Sequence, residues 1–330
     1  MREVRRLRGQ VWMAVITLAA TLAAPAAADL IFDLQAVDAN GNPTHPLVGA
    51  GPTIFDPPDV PHPEDPTRVT IEGIALNSPN DLTFVNAPSG FRYWQIYVQS
   101  ETDPAGIAVW QGSPWMPSWP PSYPAVNAGD RVRVNGFVAQ HRGKSNINSR
   151  HSGAPLMDFI VEVLEPGAGM PDPVVIPSIA DCNYFSPDRL DVPGSRGGEF
   201  YQAQWCMLQN VFIVDPPAGP PPWGSDWGWG ANKVLMVSDA SGETFPLYLS
   251  QAGDFDSYAP PEGYFSVVGI FDQEDPAAPL VDNYRLWVLR NSDITLGAVP
   301  EPLSASLLVL GLGALAARQR ARHKGGRGNG

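Results

Sequence analysis

The sequence predicts an all-β protein whose body is two five-stranded barrels in tandem, and three observations carry that expectation. Between residues 30 and 298 no long apolar stretch has a period of 3.6. Short alternating runs bounded by turn residues occur instead, at 68–76, 93–100, 106–112, 131–140 and 158–165, then at 204–215, 233–239, 244–251, 264–272 and 284–294. Turn-forming residues are abundant, with 36 Pro and 32 Gly among 330 residues. The ten runs also fall into two sets of five with the same punctuation, which is an internal repeat.

Residues 1–28 read as a signal peptide. Arg2, Arg5, Arg6 and Arg8 precede an apolar stretch from Val11 to Ala24, and Ala26-Ala27-Ala28 follows, so cleavage is expected between Ala28 and Asp29. A retained transmembrane helix fits less well, because the stretch is short and ends in a good cleavage site. Arg5-Arg6 lacks the rest of a twin-arginine signal, which favours general secretion. Residues 29–65 form a Pro-rich segment. Its Asp38-Ala-Asn-Gly-Asn42 has the alternating oxygens of a calcium loop but no distal bidentate Glu, and is read as a turn.

The first barrel is assigned to 66–166. A strand bearing Gly73 leads to a hairpin that turns at Asp103-Pro104. Then 128–140 supplies a Gly-bearing turn and a strand with Gly136 inside it, and 158–165 is the closing strand. The second barrel, 197–296, repeats the plan with a hairpin turning at Ser241-Gly242, Gly269 inside the fourth strand, and 284–294 last. Five antiparallel strands with a glycine in a central strand suit a small barrel, where glycine permits the bend that closure requires. Both are therefore read as OB-like. Residues 167–196 are expected to be a semi-rigid Pro/Gly-rich linker. Cys182 and Cys206 are the only cysteines and lack CxxC spacing. In an exported chain they are candidates for a disulfide closing a loop of about 25 residues, worth roughly 3 kcal/mol; two buried thiols are the alternative.

The first repeat resembles OB-fold modules found beside secreted bacterial nucleases and phosphoesterases. The resemblance is carried by Gly129-Asp130-Arg131-Val132-Arg133-Val134-Asn135-Gly136 and then Gly143-Lys144-Ser145. The second repeat keeps the skeleton but has Asp272, Glu274 and Asp275 where the first is basic, so no ligand role transfers to it.

The tail, 299–330, contains Pro300-Glu301-Pro302, an apolar run from Leu303 to Ala317, and then Arg318, Arg320 and Arg322. As a helix the run would span roughly 22 Å against a hydrocarbon core of about 30 Å, so it can just cross if its arginines snorkel. The positive cluster would stay cytoplasmic and leave the body outside the inner membrane. These three ordered features resemble the PEP-CTERM sorting signal of Gram-negative bacteria. That resemblance implies processing near the triplet by exosortase, a membrane-embedded cysteine transpeptidase of cells that make exopolysaccharide. An uncut tail anchor is the alternative.

With both ends set aside, residues 29–302 hold 12 Lys+Arg and 33 Asp+Glu, a net charge of −21 against −13 for the whole chain. Such a body repels polyanions and disfavours nucleic acid as a partner. Against this background His141, Arg142, Lys144, Arg150 and His151, with Asn146 and Asn148 among them, form a basic strand-turn-strand that follows the fourth strand of the first barrel. In an OB-type barrel that position adjoins the face that binds oligonucleotides and oligosaccharides. These residues are candidate contacts for a glycan or anion; alternatively their cations pair with the protein's own carboxylates. Trp110, Trp115, Trp119 and Tyr123, and Trp223, Trp227 and Trp229, lie in Pro- or Gly-rich loops. They could stack on sugar rings or plug barrel ends and interfaces. No HxxH, HExxH, GxSxG, P-loop or dinucleotide fingerprint occurs, so neither an enzyme nor a cofactor or metal is expected. The expectation is an exported, non-enzymatic component of the surface or exopolysaccharide matrix, structural or glycan-binding. A nucleic-acid-binding module is the alternative, and a small hydrolase is more remote.

Overall fold

The computed structural model describes residues 30–49, 66–82, 84–86, 91–113, 124–148, 160–190, 196–221 and 226–297. The leader with its cleavage site at Ala28 and Asp29, and the tail from Pro300 onward, lie outside the described residues. Among the described residues no helix is long and apolar enough to cross a membrane.

The chain is all-β and forms two OB-like barrels. The first contains β1 (Val69–Ala75), β2 (Phe84–Asn86), β3 (Phe91–Gln99), β4 (Gly106–Ser113), β5 (Arg131–His141), β6 (Lys144–Asn148) and β7 (Ile160–Glu165). The second contains β8 (Val174–Ile176), β9 (Trp205–Ile213), β10 (Val234–Ser238), β11 (Thr244–Leu249), β12 (Phe265–Gln273), β13 (Tyr284–Val288) and β14 (Ile294–Leu296). In the first, β1 pairs with both β3 and β5, and the ring runs β1-β3-β4-β6-β5 back to β1. In the second it runs β9-β10-β11-β13-β12 back to β9. The connectivity is the same in both.

Alternation along the strands fills each barrel. Trp94, Ile96 and Val98 of β3, Ile107 and Val109 of β4, and Val132 and Val134 of β5 point into the first core. Phe245, Leu247 and Leu249 of β11 and Leu286 and Val288 of β13 point into the second. Gly269 of β12 lets the neighbouring strand close in, because a Cβ there would lie 2.4 Å from the carbonyl oxygen of Trp287.

Several details differ from the sequence reading. The strands are not all antiparallel: β4 with β6, and β11 with β13, run parallel. A closed ring of five cannot alternate direction all the way round, so one neighbouring pair must be parallel. The fifth strand of the first barrel also begins at Lys144 rather than near Asp158. It is interrupted, since Asn148 pairs with Phe137 and Ile160 resumes the ladder opposite Asn135. The second barrel repeats this with β13 and β14, both on β12. The run Lys-Ser-Asn-Ile-Asn hid the first half because it has a single apolar residue.

The linker is part of the second barrel: β8 adds in parallel to β9, and α2 (Ile179–Asn183) buries Ile179 and Cys182 in the second core. Cys182 and Cys206 are both free and buried. The candidate disulfide is therefore replaced by the alternative, two thiols packed as small apolar groups, and burial pushes both thiol pKa values up.

The N-terminal segment is likewise built into the fold. Ile31 and Leu34 of α1 (Ile31–Leu34) are buried in the first core, a contribution of about 2 kcal/mol each.

Candidate functional site

In an OB-type barrel the face of the second and third strands, with the loops between the first and second and the fourth and fifth strands, is the usual ligand surface. Here those two faces meet each other. From the first barrel Leu76, Leu82, Tyr97 and Ala108 form one buried cluster with Ala203, Val234, Tyr248, Ile270, Trp287 and Leu289 of the second. On β3 the outward positions Gln95, Tyr97 and Gln99 are all buried, as pleated alternation dictates once a second barrel covers that face. The Gln99 side-chain oxygen accepts the Trp205 amide at 2.8 Å, and Ser250 donates through its hydroxyl to the Asp81 carbonyl. Arg290 donates to Asp81 at 2.9 Å.

At one side of this interface lies a buried ion network. Lys144 follows the two-residue turn Arg142-Gly143, whose positive φ values of 54° and 91° are those of a tight hairpin. Its ammonium contacts Asp272 at 2.9 Å and Glu274 at 2.7 Å. Arg285 of β13 donates to the same Asp272 carboxylate at 2.7 and 2.8 Å, and the Trp287 indole N–H adds a bond at 3.1 Å. The Arg285 guanidinium also lies 4.7 Å over the Trp287 ring and 4.8 Å over Tyr248. Two cations thus face two carboxylates.

Burial alone would raise the Asp272 carboxyl, but Lys144 and Arg285 outweigh it and hold it well below the usual carboxylate range. The same balance lowers Glu274. Burial would lower Arg285, yet Asp272 and Glu274 keep it above its ordinary value. Burial and the Asp272 charge push the Tyr97 phenol up.

The sequence-predicted site residues therefore separate. Lys144 is 3% exposed and spent on the second barrel's carboxylates, so its assignment as a ligand contact is corrected. Arg142 stands 3.7 Å from Glu274, and its carbonyl accepts the Asp275 amide at 3.0 Å. Asn146 is buried on β6, its amide 3.4 Å from the Lys144 carbonyl. His141 is exposed at the end of β5. Asn148 pairs in register with Phe137, and Arg150 and His151 lie outside the described residues.

Among the tryptophans, Trp227 donates to the Gly219 carbonyl at 2.7 Å and Trp229 to those of Phe255 and Tyr258 at 3.0 and 2.8 Å. The first closes the β9–β10 loop on itself, and the second ties that loop to the turn at 255–258. Trp115, Trp119, Tyr123 and Trp223 lie outside the described residues. Asp38 accepts the amides of Asn40 and Asn42 at 2.8 and 2.9 Å, closing the expected turn. No metal-holding group of His, Cys, Asp or Glu occurs among the described residues.

Sequence reasoning missed Glu199, on α3 (Gly198–Tyr201). It is buried and accepts the Tyr284 hydroxyl at 2.7 Å. Burial raises its carboxyl to about 7 from 4.5, against the lowering pull of Tyr284 and Arg189. The fold therefore prefers the protonated acid. Its contribution is full below about 4.5 and is lost as pH rises through about 7, roughly 3 kcal/mol in all. Asp272 acts oppositely: its contribution is present above 3.8 and is lost as pH falls toward its depressed value. Melting temperature against pH should decline on the neutral side, and Glu199→Gln should flatten that decline. An unchanged slope in the variant would refute the assignment.

No family model matches the sequence, and no curated protein does. Solved chains similar to it include one from a replication protein A heterotrimer bound to ssDNA, at 11% identity and a TM-score of 0.29. The match covers 77% of this chain and 54% of that one.

Proposed function

We propose that this is an exported, non-enzymatic protein of the cell surface or exopolysaccharide matrix, delivered by exosortase processing of its tail and acting there as a structural unit. The observation that supports a structural role over a ligand-binding one is the burial of both barrels' strand faces against each other. The cations of that face are neutralised from within. A nucleic-acid-binding role would need at least one such face open. It would also have to overcome the net charge of −21 on residues 29–302. Glycan contact is then left to the exposed His141 end of β5 and to Arg150 and His151.

The delivery part of the reading rests on Pro300, Glu301 and Pro302 with Arg318, Arg320 and Arg322. Mass spectrometry of the mature C-terminus should find the chain ending near the triplet. Deleting residues 300–302 should leave an uncut, membrane-retained form, and normal processing of that deletion would refute exosortase sorting. Retention on the cell's own polysaccharide should survive Arg142→Gln with Arg150→Gln if the role is structural. Loss of retention in that folded variant would instead restore the binding reading.

A further inference from the structure

The Lys144 ammonium and the Asp272 carboxylate are placed as reactants as well as charges. Lys144, the first residue of β6 in the first barrel, reaches across 128 positions of sequence to Asp272 of β12 in the second. Its Nζ lies 2.9 Å from Oδ1 and 3.1 Å from Oδ2. A nitrogen that close to both oxygens stands about 3–3.5 Å from the carboxyl carbon, the separation of a near-attack geometry. Lys144 is 3% exposed and Asp272 0%, so bulk water is kept from the pair.

Two further features set this pair apart from a simple buried ion pair. Nζ also donates to Glu274 Oε1 at 2.7 Å, so a second carboxylate is within reach to take a proton from the nitrogen. Three other donors converge on Oδ2: Arg285 Nε at 2.8 Å, Arg285 Nη2 at 2.7 Å and the Trp287 indole N–H at 3.1 Å. Donors aimed at one oxygen of a carboxyl stabilise the negative charge that grows there as the carbon becomes tetrahedral. The two oxygens are thereby distinguished, Oδ2 as the one retained and Oδ1 as the one that leaves.

We propose that Lys144 and Asp272 condense to an isopeptide bond that joins the two barrels covalently, with Glu274 as the proton carrier. The Nζ–Cγ bond forms and the Cγ–Oδ1 bond breaks. Nζ gives up two of the three ammonium protons, one of them by way of Glu274, and both end on Oδ1, which departs as water. Glu274 finishes as the carboxylate it was at the start. One positive and one negative charge disappear together, so no oxidant, activated acyl group or other reagent is needed. Lys144 and Arg285 hold Asp272 ionised, which slows attack at its carbon; moving a proton from Nζ to Oδ1 is therefore the step that Glu274 assists. The product is favoured because a buried ion pair carries a desolvation penalty that a neutral amide avoids. Arg285 and Glu274, 3.2 Å apart, remain as a balanced pair. The bond goes beyond the structural role proposed above by making the joint between the barrels permanent, and it does not depend on how the chain is delivered.

The test is a tryptic map of the purified exported protein. Trypsin cuts after Arg142, Lys144, Arg150, Lys233 and Arg285, but not after an acylated lysine. The bond therefore predicts one branched peptide, 143–150 joined to 234–285, lighter than the two together by one water. Recovery of 145–150 and 234–285 as separate linear peptides from folded protein would overturn the proposal. Glu274→Gln keeps both reacting groups and should form the branched peptide at least about tenfold more slowly after refolding. Protection of the Trp205 amide, which donates to Gln99, checks that the barrels of the variant still meet. Formation at the wild-type rate would overturn the part given to Glu274, and should that variant not fold, the wild-type map decides alone.

Discussion

Replacing Asp272 by alanine is expected to destabilise the protein by about 3–5 kcal/mol, the largest effect of any single change at the interface. The carboxylate is fully buried and accepts from Lys144, Arg285 and the Trp287 indole. Without it two buried cations share Glu274 alone, and an uncompensated charge in a low-dielectric interior is far costlier than a missing bond. Urea unfolding followed by tryptophan fluorescence would measure the loss. Adding Lys144→Met to Asp272→Ala removes one cation along with the anion, so the double variant should recover a good part of the stability. Because the pair is buried, added salt should change the loss little. A loss below about 1 kcal/mol would mean the network is as weak as an exposed ion pair.

Gly106→Ala is expected to drive the barrels apart. A Cβ at Gly106, the first residue of β4, would lie 1.9 Å from the Ala203 carbonyl oxygen and 2.5 Å from its carbon. No rotamer relieves a clash with backbone, so one barrel must move relative to the other. Overpacking of this kind costs about 1–3 kcal/mol. The reporter is the Trp205 amide, which crosses the interface to Gln99 and should exchange much faster in the variant. Val134 and Leu286, which line separate cores, should stay protected. Unchanged exchange at Trp205 would show that the contact between the barrels is looser than described.

Some features were legible in the residues and others were not. The β-strand period and matching turns disclosed two barrels, because alternation records which side of a strand is buried. The polar strand Lys144–Asn148 could not be recognised that way. Its inward side holds Ile147 in the first core, and its outward side is buried under another barrel, so neither side shows the usual contrast. The N-terminal segment was hidden for a related reason. Ile31 and Leu34 are too few to make a pattern, and their burial depends on partners far along the chain.

That the two repeats carry opposite charges at equivalent places can be read from the residues alone. Arg142 and Lys144 lie in and beside the fourth-to-fifth-strand turn of the first, and Asp272, Glu274 and Asp275 lie in or beside that of the second. That these two turns meet emerges only in the folded molecule. A periodicity reports whether a side chain leaves water, whereas what covers it is set by contacts between residues more than a hundred positions apart. A basic stretch that looked open to a ligand is therefore, in the folded molecule, half of an internal joint.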